Sequence, residues 1–191
     1  MASRLVLLRH GATEWSLSGQ HTGRTDIPLL ELGRDQARRA GDLLRDQGLA
    51  PFAQVLTSPL CRASETCELS GFEGERDPDL MEWDYGEYEG LTTAEIREGR
   101  PGWTLWDEGV PGGERASDVA RRADRVIERA KAREGTTLCV AHGHLLRVLA
   151  ARWLGLPPVA ARLFLFYAGS IGVLGSEHDW PVMEQWNLRP A

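Results

Sequence analysis

The chain has 191 residues, 42% of them hydrophobic and 26% charged. That is ordinary for a soluble globular protein, and the length fits one domain, residues 1–191, able to bury well over half of its unfolded surface. A net charge of −6 excludes the broad basic surface that non-specific nucleic-acid binding requires, so any phosphate site must be a local basic pocket.

In chain order, the apolar run at residues 4–8 reads as a buried strand that ends on Arg9-His10-Gly11. Residues 32–44 have one apolar face at helical spacing, and residues 54–57 form a second short strand. A helix is predicted over 59–69, with Ser58 as its N-cap and Pro59 at the first helical position. The segment 71–113, rich in Gly, Pro, Trp and acidic residues, has no regular period, and long irregular segments in compact domains tend to carry function. Residues 117–133 predict a helix with an arginine-rich outer side. The run 136–141 predicts a strand closing on His142-Gly143, from which a helix over 144–154 rises. Two last strands, 162–167 and 171–177, are expected to meet in a hairpin at Ala168-Gly169-Ser170.

Strands alternating with helices predict an α/β fold, a three-layer α/β/α sandwich with a mostly parallel central sheet. The first apolar run is about four residues, short of the ~7–15 of a signal peptide, and no stretch reaches the ~20 of a membrane span. A cytoplasmic protein with no membrane partner is expected. Cys61, Cys67 and Cys139 are odd in number, form no Cys-x-x-Cys pair, and are expected to be buried and inert.

Ligands of open parallel sheets sit outside the carboxyl ends of the strands, where His10, Ser58 and His142 all lie. Phosphoryl transfer to a histidine needs a neutral, oriented ring, fixed donors for the equatorial oxygens and an acid for the leaving oxygen. His10 is the candidate nucleophile. Arg9 and Arg62 are candidate phosphate clamps, with further donors from His142 and the Gly143 amide. Glu82 is the candidate acid, with Asp84 and Glu87 as rivals. His144 and His21 read as a packing and a loop histidine. Trp103, Trp106 and Trp180 read as packing residues.

Arg9-His10-Gly11 with Thr13-Glu14-Trp15, Ser58-Pro59-Leu60-Cys61-Arg62-Ala63, Glu82 and Ala141-His142-Gly143-His144 resemble, in order, the motifs of the histidine phosphatase superfamily. The resemblance implies a phosphohistidine on His10, a phosphoryl group held by Arg9, Arg62 and His142, Glu82 as proton donor, and no metal or other cofactor. It also implies substrate contacts from Ser16, the Thr22-Gly23 step and Tyr85. Within the superfamily, the stretches 18–23, 82–90 and 169–174 are similar to sedoheptulose-1,7-bisphosphatases and bacterial acid phosphatases. The expected activity is metal-independent hydrolysis of a small sugar phosphate or bisphosphate, with Arg24, Arg97 or Arg115 as candidates for a second phosphate. A cofactor-dependent phosphoglycerate mutase and a non-catalytic phospholigand-binding module are the alternatives. The partner implied is a small phosphorylated substrate. The oligomeric state stays open, a homodimer included.

Overall fold

A computed structural model describes residues 3–189. In chain order come β1 (Arg4–Arg9), α1 (Glu14–Ser18), α2 (Glu31–Asp46), β2 (Gln54–Thr57), α3 (Cys61–Leu69), β3 (Glu75–Arg76), α4 (Thr93–Gly99), α5 (Leu105–Glu108), α6 (Ala116–Lys131), β4 (Thr136–Ala141), α7 (Gly143–Trp153), β5 (Ile171–Glu177) and β6 (Trp180–Leu188). The strands among the described residues form a six-stranded sheet in the order β3-β2-β4-β1-β5-β6. Its first four strands are parallel, and β5 and β6 run antiparallel to their neighbours.

Leu5, Val6, Leu7 and Leu8 are all fully buried, the unbroken apolar run expected of a parallel strand covered on both faces. Leu5 and Leu7 share a core with Val126 of α6 and with Leu145 and Leu149 of α7. Val6 and Leu8 turn the other way, toward Ala40 and Leu44 of α2 and Cys67 of α3. The sheet is therefore the middle layer of an α/β/α sandwich. Truncating Leu7 to alanine would cost about 2–5 kcal/mol at such a site.

The register brings Arg9 opposite Ala141, so the residues after β1 and β4 emerge side by side. His10 N–H donates to the Ala141 carbonyl (2.9 Å) and Ser58 N–H to the Val140 carbonyl (3.0 Å). Three distant parts of the chain thus meet at the carboxyl ends of the adjacent strands β2, β4 and β1.

Two expectations need correcting. The helix after β2 begins at Cys61, with Leu60 in extended backbone at its cap position (φ −68°, ψ 136°). Ser58 is not its N-cap; its hydroxyl accepts Leu60 N–H within the preceding turn (3.3 Å). Residues 162–167 are not a strand either, for Pro158–Leu163 form a 3-10 turn and the rest an extended loop. Their side chains do alternate, with Phe166 buried and Leu165 60% exposed. Their carbonyls, however, bond side chains instead of a ladder: Leu165 O accepts from Trp186 Nε1 and Asn187 Nδ2, and Phe166 O from Arg9. The terminal hairpin is β5–β6, turning at His178-Asp179. No helix among the described residues is long and apolar enough to cross a membrane.

Candidate active site

His10 is 4% exposed, and its Nδ1 lies 2.7 Å from the Gly11 carbonyl. A carbonyl can only accept, so Nδ1 carries the proton and Nε2 holds the lone pair. Burial, reinforced by the charges of Arg62 and Arg9, holds the ring well below the usual histidine range, so it is neutral at pH 7. Gly11 lies so close to α2 that a Cβ there would stand 2.1 Å from the Gly33 carbonyl oxygen.

His142 is fully buried with its ring centroid 5.1 Å from that of His10. Arg62 Nε, which can only donate, lies 3.1 Å from His142 Nδ1. Nδ1 is therefore an acceptor, and Nε2–H donates to Ser58 Oγ at 2.8 Å. The two histidines are fixed in opposite tautomers. Burial and the Arg62 charge hold His142, like His10, well below the ordinary range. The other Arg62 nitrogens donate to the carbonyls of Thr22, Gly23 and Thr25 at 2.9–3.2 Å, which ties α3 to the loop after α1.

Arg9 donates to the Phe166 carbonyl, while its buried Nε has no hydrogen-bond partner among the described residues. Gly143, the first residue of α7, lies against this guanidinium: a Cβ there would come within 3.0 Å of Cζ. Glycine lets the arginine cross the N-terminus of α7, where backbone N–H groups and the helix dipole favour an anion.

Glu82 is 5% exposed and supports the same helix end. Its Oε1 accepts N–H from Trp83 (2.8 Å) and Leu145 (2.9 Å), and Oε2 accepts from His144 (3.0 Å). Two bonds saturate Oε1, leaving one acceptor position on Oε2. Trp83 is held in turn by its indole N–H on the Glu114 carbonyl.

These groups border a cleft of about 280 Å³ lined by Arg9, His10, Ser16, Thr22, Glu82, Tyr85 and Gly143 among the expected residues. Glu82 is the one carboxylate lining it among the described residues, whereas Asp84 faces Arg24 and the Gly86 amide. Arg62 and His142 lie behind His10 and not on the cleft wall. Ser16 reaches the wall, but its hydroxyl already bonds Thr13 N–H and C=O in the capping box of α1. Gly23 does not line the cleft. Its N–H goes to Glu89, whose carboxylate also takes the amides of Arg24 and Thr25.

Part of the wall comes from residues beyond the expected ones. His21 and His144 both face the cleft, and the Tyr85 hydroxyl shares a hydrogen bond with His144 Nδ1. Trp15, Gly19, Gln20, Thr93 and Phe166 complete the lining with Arg147. Arg147 packs its guanidinium on the Trp106 ring (4.7 Å) and donates to the carbonyls of Ala161 and Arg162. No carboxylate pairs with it among the described residues, and burial pulls it down to about 10, so it stays charged at pH 7. Arg24, Arg97 and Arg115 do not reach the cleft. The spacing His144 to Arg147, three residues along one helix, was the available signal for the cation that does.

Three histidines kept neutral by burial link stability to pH. His10, His142 and His144 all titrate below the ordinary value of 6.5 when folded. The unfolded chain binds more protons below that pH, so their contribution is intact above 6.5 and is lost as pH falls. The slope is up to about 1.4 kcal/mol per pH unit for each ring. Urea midpoints measured from pH 7.5 to 5.5 should fall with pH, and less steeply for His10→Asn. A flat profile would mean that the rings are solvated.

Residues 5–189 match the Histidine phosphatase superfamily (branch 1). An acid phosphatase of Mycobacterium tuberculosis is 43% identical over 180 residues, 92% of this chain and 87% of that protein. The sedoheptulose 1,7-bisphosphatase of Saccharomyces cerevisiae is 36% identical, over 82% of this chain and 69% of its own. A 2,3-bisphosphoglycerate-dependent phosphoglycerate mutase of Methylorubrum extorquens is 40% identical over 78% of each. The solved structure of the Mycobacterium tuberculosis open reading frame Rv3214 superposes with a TM-score of 0.94 at 40% identity, over 98% of both chains. With the sheet order, the paired strand-end histidines and these matches in agreement, the chain belongs to branch 1 of the histidine phosphatase superfamily.

Proposed function

We propose that this protein is a metal-independent phosphomonoesterase that transfers the phosphoryl group of a small sugar phosphate or bisphosphate to His10 and then to water. The observation that carries the reading is the locked His10 tautomer: Nδ1–H is held by the Gly11 carbonyl, and Nε2 has no partner among the described residues in a cleft with one carboxylate. In the first step Nε2 attacks phosphorus in line, the bond to the leaving oxygen breaks, and Glu82 Oε2 gives that oxygen its proton. In the second, water attacks the phosphohistidine while the Glu82 carboxylate accepts its proton, releasing inorganic phosphate and neutral His10. Arg9 Nε and the first amide of α7 match charge on the equatorial oxygens. Arg62, behind the nucleophile, adds positive potential, and the neutral His142, bonded to Arg62 and Ser58, holds that guanidinium in place.

The cleft volume suits a metabolite, and walls of Gln20, Thr22, Thr93, His21 and Tyr85 offer hydrogen bonds to a polyol. Arg147 lies four residues beyond Gly143, about 6 Å along the axis of α7, and supplies a second cation for a second anionic group. The named activity of the yeast relative, on a sugar bisphosphate, agrees with that charge pattern.

Phosphate release from a panel of sugar phosphates, sugar bisphosphates and phosphoglycerates, with chelator present, tests the reading. Release confined to sugar phosphates supports it, whereas primer-dependent interconversion of phosphoglycerates without release supports the mutase. No turnover at all, with phospholigand binding retained, would leave a binding module. Arg147→Met should raise KM for a bisphosphate about tenfold or more, the scale of one lost charge-assisted contact. The monophosphate should be little affected, and an equal effect on both would remove Arg147 from substrate recognition.

A further inference from the structure

The His10 tautomer depends on where the Gly11 carbonyl points, and that carbonyl belongs to the peptide joining Gly11 to Ala12. The same planar unit carries the Ala12 N–H, which donates to Gln36 Oε1 at 2.8 Å. One side chain on α2 therefore grips the far end of the peptide whose near end holds His10 Nδ1–H. Gln36 does not line the cleft.

We propose that Gln36 is a positioning residue for His10, acting through the Gly11–Ala12 peptide to fix the ring with Nε2 toward phosphorus. The proposal rests on His10 being the nucleophile. During attack the ring becomes a cationic phosphoimidazolium, and its Nδ1–H bond to Gly11 becomes charge-assisted. A peptide already bonded at its N–H is a stronger acceptor at its C=O, so Gln36 both aims and polarises the carbonyl.

The surroundings leave Gln36 little freedom. The Ala12 carbonyl accepts Leu30 N–H at 3.0 Å, and a Cβ on Gly33 would lie 2.2 Å from that carbonyl oxygen, so the first turn of α2 rests directly on the loop. On the other side Gly169 packs on the Gln36 stem, a Cβ there lying 2.9 Å from Gln36 Cβ. Gly169 N–H in turn donates to the carbonyls of Arg9 (3.2 Å) and His10 (3.1 Å). Gln36 is wedged between the two segments that hold the nucleophile's backbone.

The experiment compares Gln36→Met, which keeps the size and removes the acceptor, with Gln36→Glu, which keeps an acceptor. Measured are kcat, KM, the melting midpoint and the ¹⁵N resonances of the His10 ring in resting enzyme. Gln36→Met should lower kcat about ten- to a hundredfold, the scale for groups that orient a reactive side chain. Its KM should stay within about twofold, and its ring resonances should move from the Nδ1–H pattern toward a tautomer mixture. Gln36→Glu should restore both kcat and the Nδ1–H pattern. Wild-type kcat in Gln36→Met, or a reduced kcat with the His10 tautomer unchanged, would overturn the proposal and leave Gln36 a structural cap. If wild-type enzyme forms no phosphohistidine, the nucleophile assignment fails on that result alone. The ring resonances would still report whether Gln36 holds His10.

Discussion

Replacing His10 with asparagine is expected to lower kcat by about 10⁴-fold or more on every phosphomonoester, the scale of losing a covalent nucleophile. Asparagine retains an N–H for the Gly11 carbonyl, so the turn after β1 should survive and the loss should not reflect unfolding. What disappears is the lone pair of Nε2. His142, 5.1 Å away, cannot replace it, because its Nδ1 accepts from Arg62 and its Nε2 carries the proton given to Ser58. Steady-state phosphate release checks this on sugar phosphates and an aryl phosphate together. Residual activity within about tenfold of wild type would remove His10 from the chemical step.

Glu82→Gln should divide substrates by leaving group. Sugar phosphates leave as poor alkoxides that need a proton in the transition state, so kcat should fall about 10²–10⁴-fold. A nitrophenyl phosphate leaves as a stabilised phenolate and should lose far less. The variant also disturbs the helix end, since three backbone N–H groups converge on the two oxygens of Glu82 and an amide nitrogen would oppose one of them. That defect costs about 1–3 kcal/mol of stability and slows all substrates alike. The ratio of the two losses therefore separates proton donation from support of α7. Equal slowing of both substrates would assign Glu82 to support alone.

The strands at the core of the sheet were legible because burial on both faces demands continuous apolar runs, as at Leu5 to Leu8 and Leu138 to Ala141. β6 was not, because Pro181 and a solvent-facing edge, with Trp180 76% exposed, erase that signature. The opposite error came from residues 163–167, where real alternation of buried and exposed side chains mimics a strand. The carbonyl partners that decide the matter, Arg9, Trp186 and Asn187, lie more than fifteen residues away. In the site, Arg9, His10 and Glu82 stood out because each belongs to a local motif. The partner of the Gly23 amide was not legible, because Glu89, which accepts from it, lies 66 residues away. Arg147 was hidden among 22 basic residues, and only its position one helical turn past His144 brings it to the cleft.

The proposed reaction requires a covalent phosphoryl group at one nitrogen of one ring. Wild-type enzyme mixed with substrate, quenched in alkali within milliseconds and digested, should yield a phosphopeptide containing His10. The phosphoryl group should sit on Nε2, the nitrogen left free by the Gly11 carbonyl, and should be absent from His10→Asn. A phosphoryl group on His142, on Nδ1 of His10, or on no residue while turnover proceeds would contradict the account.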